Sequence, residues 1–124
     1  MNKVVHFEIP FDEKTRSQKF YSEAFGWKFD EMPDIGYIGA TTTPTDETMM
    51  PTEPGSINGG MVERTSDNPT PVITIDVPSI DEHVQKIEAA GGTMLGAKGE
   101  VPGMGYYAYF KDSENNIMGL WENI

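Results

Sequence analysis

The chain has 124 residues and no cysteine, with 20 acidic against 9 basic side chains and a formal net charge of −11. That length suits one compact domain burying roughly two thirds of the surface its unfolded chain exposes. Disulfides, thiolate metal sites and a cysteine nucleophile are excluded, and so acidic a surface repels phosphate backbones, so nucleic acid is not expected as a partner.

Met1 to Pro10 holds one lysine and no long apolar run, which predicts no signal peptide. No stretch approaches the ~20 apolar residues that span a bilayer, so a cytoplasmic protein without a membrane partner is expected. Val4 to Ile9 reads as a strand, with Val5, Phe7 and Ile9 on one face and Val4, His6 and Glu8 on the other. Pro10 is expected to end it. Asp12 is the expected cap of a helix whose apolar stripe holds Phe20, Tyr21, Ala24 and Phe25, with Gly26 as its exit. Trp27 to Glu31 and Tyr37 to Thr41 read as a hairpin around Pro33-Asp34-Ile35-Gly36. Residues 42–55, rich in threonine, proline and glycine and carrying Met49-Met50, predict an exposed, mobile loop. Ser56 to Glu63 is a glycine-interrupted strand, and Thr65 to Pro71 is a polar link.

The pattern then repeats. Val72 to Val77 is a strand stopped by Pro78, and Ser79 with Glu82 forms a capping box ahead of Val84 and Ile87. Gly91-Gly92 closes that helix. Thr93 to Glu100, Tyr106 to Lys111 and Asn116 to Trp121 are three more strands, with turns at Pro102-Gly103 and at 112–116. Each half is therefore β-α-β-β-β. The expectation is an α+β domain of two such modules, residues 1–64 and 70–124, whose sheets join side by side.

Four pieces stand in order along the chain: His6-Phe7-Glu8-Ile9-Pro10, Phe20-Tyr21 with Phe25-Gly26-Trp27, Ala89-Ala90-Gly91-Gly92, and Asp112-Ser113-Glu114-Asn115-Asn116 leading into Gly119-Leu120-Trp121-Glu122. Together they resemble the vicinal oxygen chelate superfamily, which includes glyoxalase I, bleomycin-resistance proteins, fosfomycin-resistance enzymes and extradiol dioxygenases. The resemblance covers nearly the whole chain and is nearest to small glyoxalase-like proteins with a Gly-Leu-Trp-Glu last strand. It implies two βαβββ modules forming a cupped mixed sheet around a cavity, and a homodimer.

The resemblance also implies metal ligands on the first and last strand of each module. Carried onto this sequence, those positions hold His6, Gly59, Thr74 and Gly119. Only His6 is a ligand type, since threonine binds divalent ions poorly, and one histidine cannot hold a catalytic metal. Glu122 lies three residues past Gly119, so strand alternation points it to the opposite face. No cofactor is expected, and a divalent metal is disfavoured.

Glu8 and Asp76 stand two residues beyond His6 and Thr74, and so share their faces. Two carboxylates in one pocket would push their pKa values apart, as acid–base pairs require; hydrogen bonding at a strand end is the plainer role. Trp121 follows the parity of Gly119, and Met61 that of Gly59. His6, Glu8, Gly59, Met61, Thr74, Asp76, Gly119 and Trp121 are thus the expected lining of a pocket for a small, partly apolar ligand of unknown identity. The expected role is a metal-independent small-molecule-binding protein of the glyoxalase/bleomycin-resistance type. The alternative is a lactoylglutathione-lyase-like lyase or isomerase, with His6 and a carboxylate moving protons on a small carbonyl adduct.

Overall fold

The structure is a computed structural model that describes residues 1–124. The chain forms two compact units, one of residues 6–71 and one of residues 1–5 with 72–124. Each is an α+β arrangement of a mixed four-stranded sheet and one helix. No helix is long and apolar enough to cross a membrane.

The N-terminal unit contains β1 (Val4–Phe11, from His6 onward), α1 (Lys14–Phe25), β2 (Lys28–Met32), a 3-10 turn at Pro33–Ile35, β3 (Tyr37–Thr41) and β4 (Gly59–Glu63). β4 runs parallel to β1 and antiparallel to β3, which pairs antiparallel with β2. Pro10 does not end β1: it is buried opposite Val62, and Phe11 continues the strand by accepting from the Arg64 N–H at 2.9 Å. The cap of α1 is Glu13 rather than Asp12. The Glu13 carboxylate accepts from the Thr15 and Arg16 N–H groups at 3.2 and 2.6 Å, while Asp12 is drawn into a 2.8 Å ion pair with Arg64. Gly26, at φ 73°, closes the helix.

The apolar stripe of α1 is not buried. Phe20 and Phe25 are 58% and 63% exposed, and the helix contains no buried residue. Its aromatic side chains pack on one another instead, with Tyr21 stacked on Trp27 at 4.8 Å between centroids. The core of this unit lies among the strands, in Ile38, Ala40 and Met61.

The 42–55 segment is largely exposed, as expected, and carries hydrogen-bonded turns of its own. Thr45 bridges Pro51, and the Asp46 carboxylate accepts from the Thr48 and Met50 N–H groups. The Thr48 hydroxyl, donating to Asp46 Oδ1 at 2.6 Å, and then these backbone bonds hold the Asp46 carboxyl below its usual range. Met49 and Met50 remain exposed.

In the C-terminal unit, β5 (Val72–Asp76), α2 (Ile80–Ala89), β6 (Thr93–Val101), β7 (Gly105–Lys111) and β8 (Ile117–Asn123) follow in order. β5 is parallel to β8, and β8, β7 and β6 form an antiparallel run. Ser79 Oγ accepts from the Glu82 N–H at 3.2 Å, as the capping box requires. Glu122 supplies a second cap, its carboxylate accepting from the Ile80 N–H at 2.8 Å. Glu122 therefore stands on the helix face of β8, as its parity predicts.

The core between α2 and the sheet is Val77, Ile80, Ala108, Phe110 and Leu120, flanked by Ile75, Val84, Ile87 and Met94. Alternation then leaves Thr74 and Asp76 of β5, Tyr107 and Tyr109 of β7, and Gly119 and Trp121 of β8 on the face away from α2.

Candidate functional site

In the N-terminal unit the parallel register aligns Phe7 with Gly59, Glu8 with Gly60 and Ile9 with Met61. Residues opposite one another share a face of the sheet. The glycine beside His6 and Glu8 is therefore Gly60, and the expected pocket positions Gly59 and Met61 lie on the other face, with Phe7 and Ile9. That face is the α1 side: Phe7 meets Trp27, which stacks on Tyr21 of α1. The Phe7 ring fills the space at Gly59, where an added Cβ would lie 2.5 Å from its Cδ2. A slip of one residue exchanges the two faces of a strand, and the Gly59-Gly60 pair disguises it in the sequence.

Tyr37, at the start of β3, completes the His6 face. Its phenol is hydrogen-bonded to His6 Nε2 and lies over Gly60, whose missing side chain leaves room for it. Glu8 is 7% exposed on the same face. Burial pushes the His6 imidazole below its ordinary pKa, so the ring is neutral at pH 7. Burial, and then the negative charge of Glu8, push the Tyr37 phenol far up, so it keeps its proton.

Asn58, one step before Gly59, falls on this face by alternation, but its amide is committed to the neighbouring loop. Its Oδ1 accepts from the Thr42 and Thr43 N–H groups at 2.7 and 3.0 Å, and its Nδ2 donates to the Thr43 carbonyl at 3.3 Å.

In the C-terminal unit Thr74 stands opposite Gly119, and Asp76 opposite Trp121. A Cβ on Gly119 would come 2.8 Å from Thr74 Oγ1, so the threonine hydroxyl occupies the space the glycine leaves. Trp121 Nε1 donates to Asn123 Oδ1 at 2.9 Å, and Asn123 Nδ2 donates to Asp76 Oδ1 at 3.1 Å. A cleft of about 290 Å³ opens there, lined by Met1, Asn2, Lys3, Asp76, Pro78 and Asn123.

The divalent metal implied by the resemblance does not fit this donor set. His6 Nε2 is bonded to Tyr37, Thr74 and Gly119 offer no carboxylate or imidazole, and Glu122 is bound to the start of α2 on the opposite face. Nowhere do three histidine, aspartate or glutamate side chains gather closely enough to hold an ion. What this face offers is a neutral imidazole, a phenol and a buried carboxylate.

Tyr37 and Asn58 were not singled out from sequence. The alternation of β3 was readable, but which of its faces meets β1 depends on β4 lying between them. Asn58 lies within the expected strand Ser56 to Glu63, but taking Gly59 as the site position assigns Asn58 to the opposite face.

A neutral buried histidine makes stability depend on pH. The unfolded chain protonates His6 near its ordinary pKa of ~6.5 while the folded chain resists, so the unfolded state binds more protons below that pH. His6 therefore costs nothing at pH 7.5 and destabilises progressively as pH falls through 6.5 toward its lower folded value. Urea unfolding between pH 7.5 and 5 is expected to show a smaller loss of stability in His6→Gln than in wild type. Equal slopes would contradict burial of the neutral ring.

Three comparisons bear on this arrangement. A family model described as bleomycin resistance protein-like N-terminal matches residues 3–43. A glyoxylase-like domain-containing protein of Didymella fabae is 30% identical over 118 residues, covering 91% of this chain and 88% of its own length. Among solved structures, a hypothetical protein from Bacillus halodurans C-125 superposes with a TM-score of 0.66 at 18% identity, over 99% of this chain and 95% of that one. Streptomyces coelicolor methylmalonyl-CoA epimerase in complex with 2-nitronate-propionyl-CoA gives 0.65 at 13% identity, over 99% and 98%. At those identities the structural matches show a shared fold.

Proposed function

The chain belongs to the glyoxalase-like, bleomycin-resistance-like family of the vicinal oxygen chelate superfamily, and we propose that within it this protein binds a small organic molecule without a divalent metal. One observation carries the reading: every position where the superfamily would place a metal ligand is committed to something else. His6 is bonded to the Tyr37 phenol, the Phe7 ring fills the space at Gly59, and the Thr74 hydroxyl fills the space at Gly119. What remains are aromatic and hydrogen-bonding side chains, the usual means of holding a small, partly apolar molecule.

A second reading is supported by the neutral state of His6. An unprotonated imidazole touching a phenol, with the Glu8 carboxylate on the same face, is equipped to take and return a proton. On that reading the protein is a lyase or isomerase of a small carbonyl adduct. The epimerase among its structural neighbours is an isomerase by name.

Native mass spectrometry of the gently purified protein tests the first reading. A small-molecule adduct that survives EDTA is expected. An adduct released by EDTA, or a chain carrying one metal ion, would overturn it. Turnover abolished by His6→Ala, with folding intact, would select the second reading.

We also propose a homodimer, supported by β2 and β6, which end their units' sheets with unpaired edges. Sedimentation is expected to show twice the monomer mass, and a monomer at high concentration would reject it.

A further inference from the structure

One straight row of residues crosses all four strands of the C-terminal unit on the face away from α2. Asp76 of β5 is opposite Trp121 of β8, Trp121 is opposite Tyr107 of β7, and Tyr107 is opposite Gly99 of β6. Strands lie about 4.8 Å apart, so the stretch from Asp76 to Tyr107 spans about 10 Å. Two glycines let the rings lie over the backbone. Tyr107 covers Gly99, where a Cβ would come 2.6 Å from its hydroxyl, and Trp121 covers Gly105, where a Cβ would come 2.6 Å from its Cζ2. Tyr107 remains 40% exposed, with Tyr109 edge-on beside it at 6.0 Å. The row is therefore an aromatic floor ending in a carboxylate.

The carboxylate end is fixed in place. Asn123 accepts from the Trp121 indole N–H and donates to Asp76 Oδ1, coupling the ring's position to that of the acid. Asp76 also lines the cleft of about 290 Å³, so its charge borders open volume.

We infer that this row binds a planar aromatic molecule carrying a cationic nitrogen, its ring on Trp121 and Tyr107 and its N–H groups on Asp76. The inference rests on the small-molecule-binding reading and gives it a ligand class. Ring faces attract both π systems and cations. A fixed acceptor beside them selects a donor-bearing, positive group, and the net charge of −11 favours approach of cations over anions. Lys3 lines the same cleft and would favour an anion there, so the sign of the ligand's charge is what must be measured.

The probes are 2-naphthylmethylammonium, 2-naphthoate and cyclohexylmethylammonium, titrated into the metal-free protein and followed by the Trp121 indole N–H resonance, assigned with Trp27→Phe. The ammonium naphthalene is expected to bind saturably, about tenfold tighter than either other probe, the scale of one stacked ring or one fixed charge–hydrogen bond. Asp76→Asn, which keeps an oxygen for Asn123, is expected to erase the preference for the cation. Tyr107→Leu, at a half-exposed site, is expected to weaken both naphthalenes about tenfold and spare the cyclohexyl probe. Circular dichroism checks that each variant folds. Naphthoate binding as tightly as the ammonium probe, or Asp76→Asn leaving the ammonium affinity unchanged, would overturn the inference while leaving small-molecule binding intact. No response to any probe would also overturn it, and the native-mass result would then decide the broader reading separately.

Discussion

Gly60→Ala is expected to lower the unfolding free energy by roughly 2–5 kcal/mol, the sum of an overpacked site and a buried imidazole left without its partner. The Tyr37 phenol lies where the new methyl would stand, with ring Cε1 2.7 Å away and the hydroxyl nearer still. Tyr37 cannot remain there, and leaving breaks its bond to His6. The two side chains clash directly, so their costs are not additive. In a Tyr37→Ala background, Gly60→Ala is expected to cost little. Denaturant unfolding of the two single variants and the double variant measures this. Additive losses would show that Tyr37 does not occupy the space above Gly60.

Met61→Ala is expected to cost roughly 2–5 kcal/mol as well, by a different route. Met61 is 1% exposed, among the largest fully buried side chains, and stands opposite Ile9 and Ile38 on the α1 side of β4. Truncation there opens a cavity that its strand neighbours cannot close. The sequence pattern had placed Met61 in the ligand pocket, and the two placements give opposite results. A core methionine loses stability and leaves ligand affinity unchanged, whereas a lining methionine loses affinity at little cost in stability. Urea unfolding and a binding isotherm on the same variant separate them.

These two residues also mark where the sequence stopped being readable. The doubled strand–helix–strands order was legible because each signal is local: the Ser79 capping box, Gly26 after α1, and the Asp112 turn, whose carboxylate accepts from the Glu114 and Asn116 N–H groups. The C-terminal face was legible too, because Thr74 and Gly119 pair as the repeat implies and Glu122 turns away to cap α2. The N-terminal face was misread by one residue at Gly59. Register between parallel strands far apart in sequence is set by packing, here the Phe7 ring over Gly59 and the Tyr37 ring over Gly60, and neither choice leaves a local trace. The exposed Phe20 and Phe25 make a related point. Helical spacing gives α1 an apolar stripe but does not say what covers it.

We propose that the positions at which the resemblance implies metal ligands form no metal site in this chain. Calorimetric titration of the metal-free protein with zinc, nickel and manganese, paired with elemental analysis and repeated on His6→Ala, tests it most directly. No stoichiometric uptake of any of these ions is expected, and no difference between wild type and His6→Ala. One equivalent of metal bound per chain, and lost in His6→Ala, would contradict it.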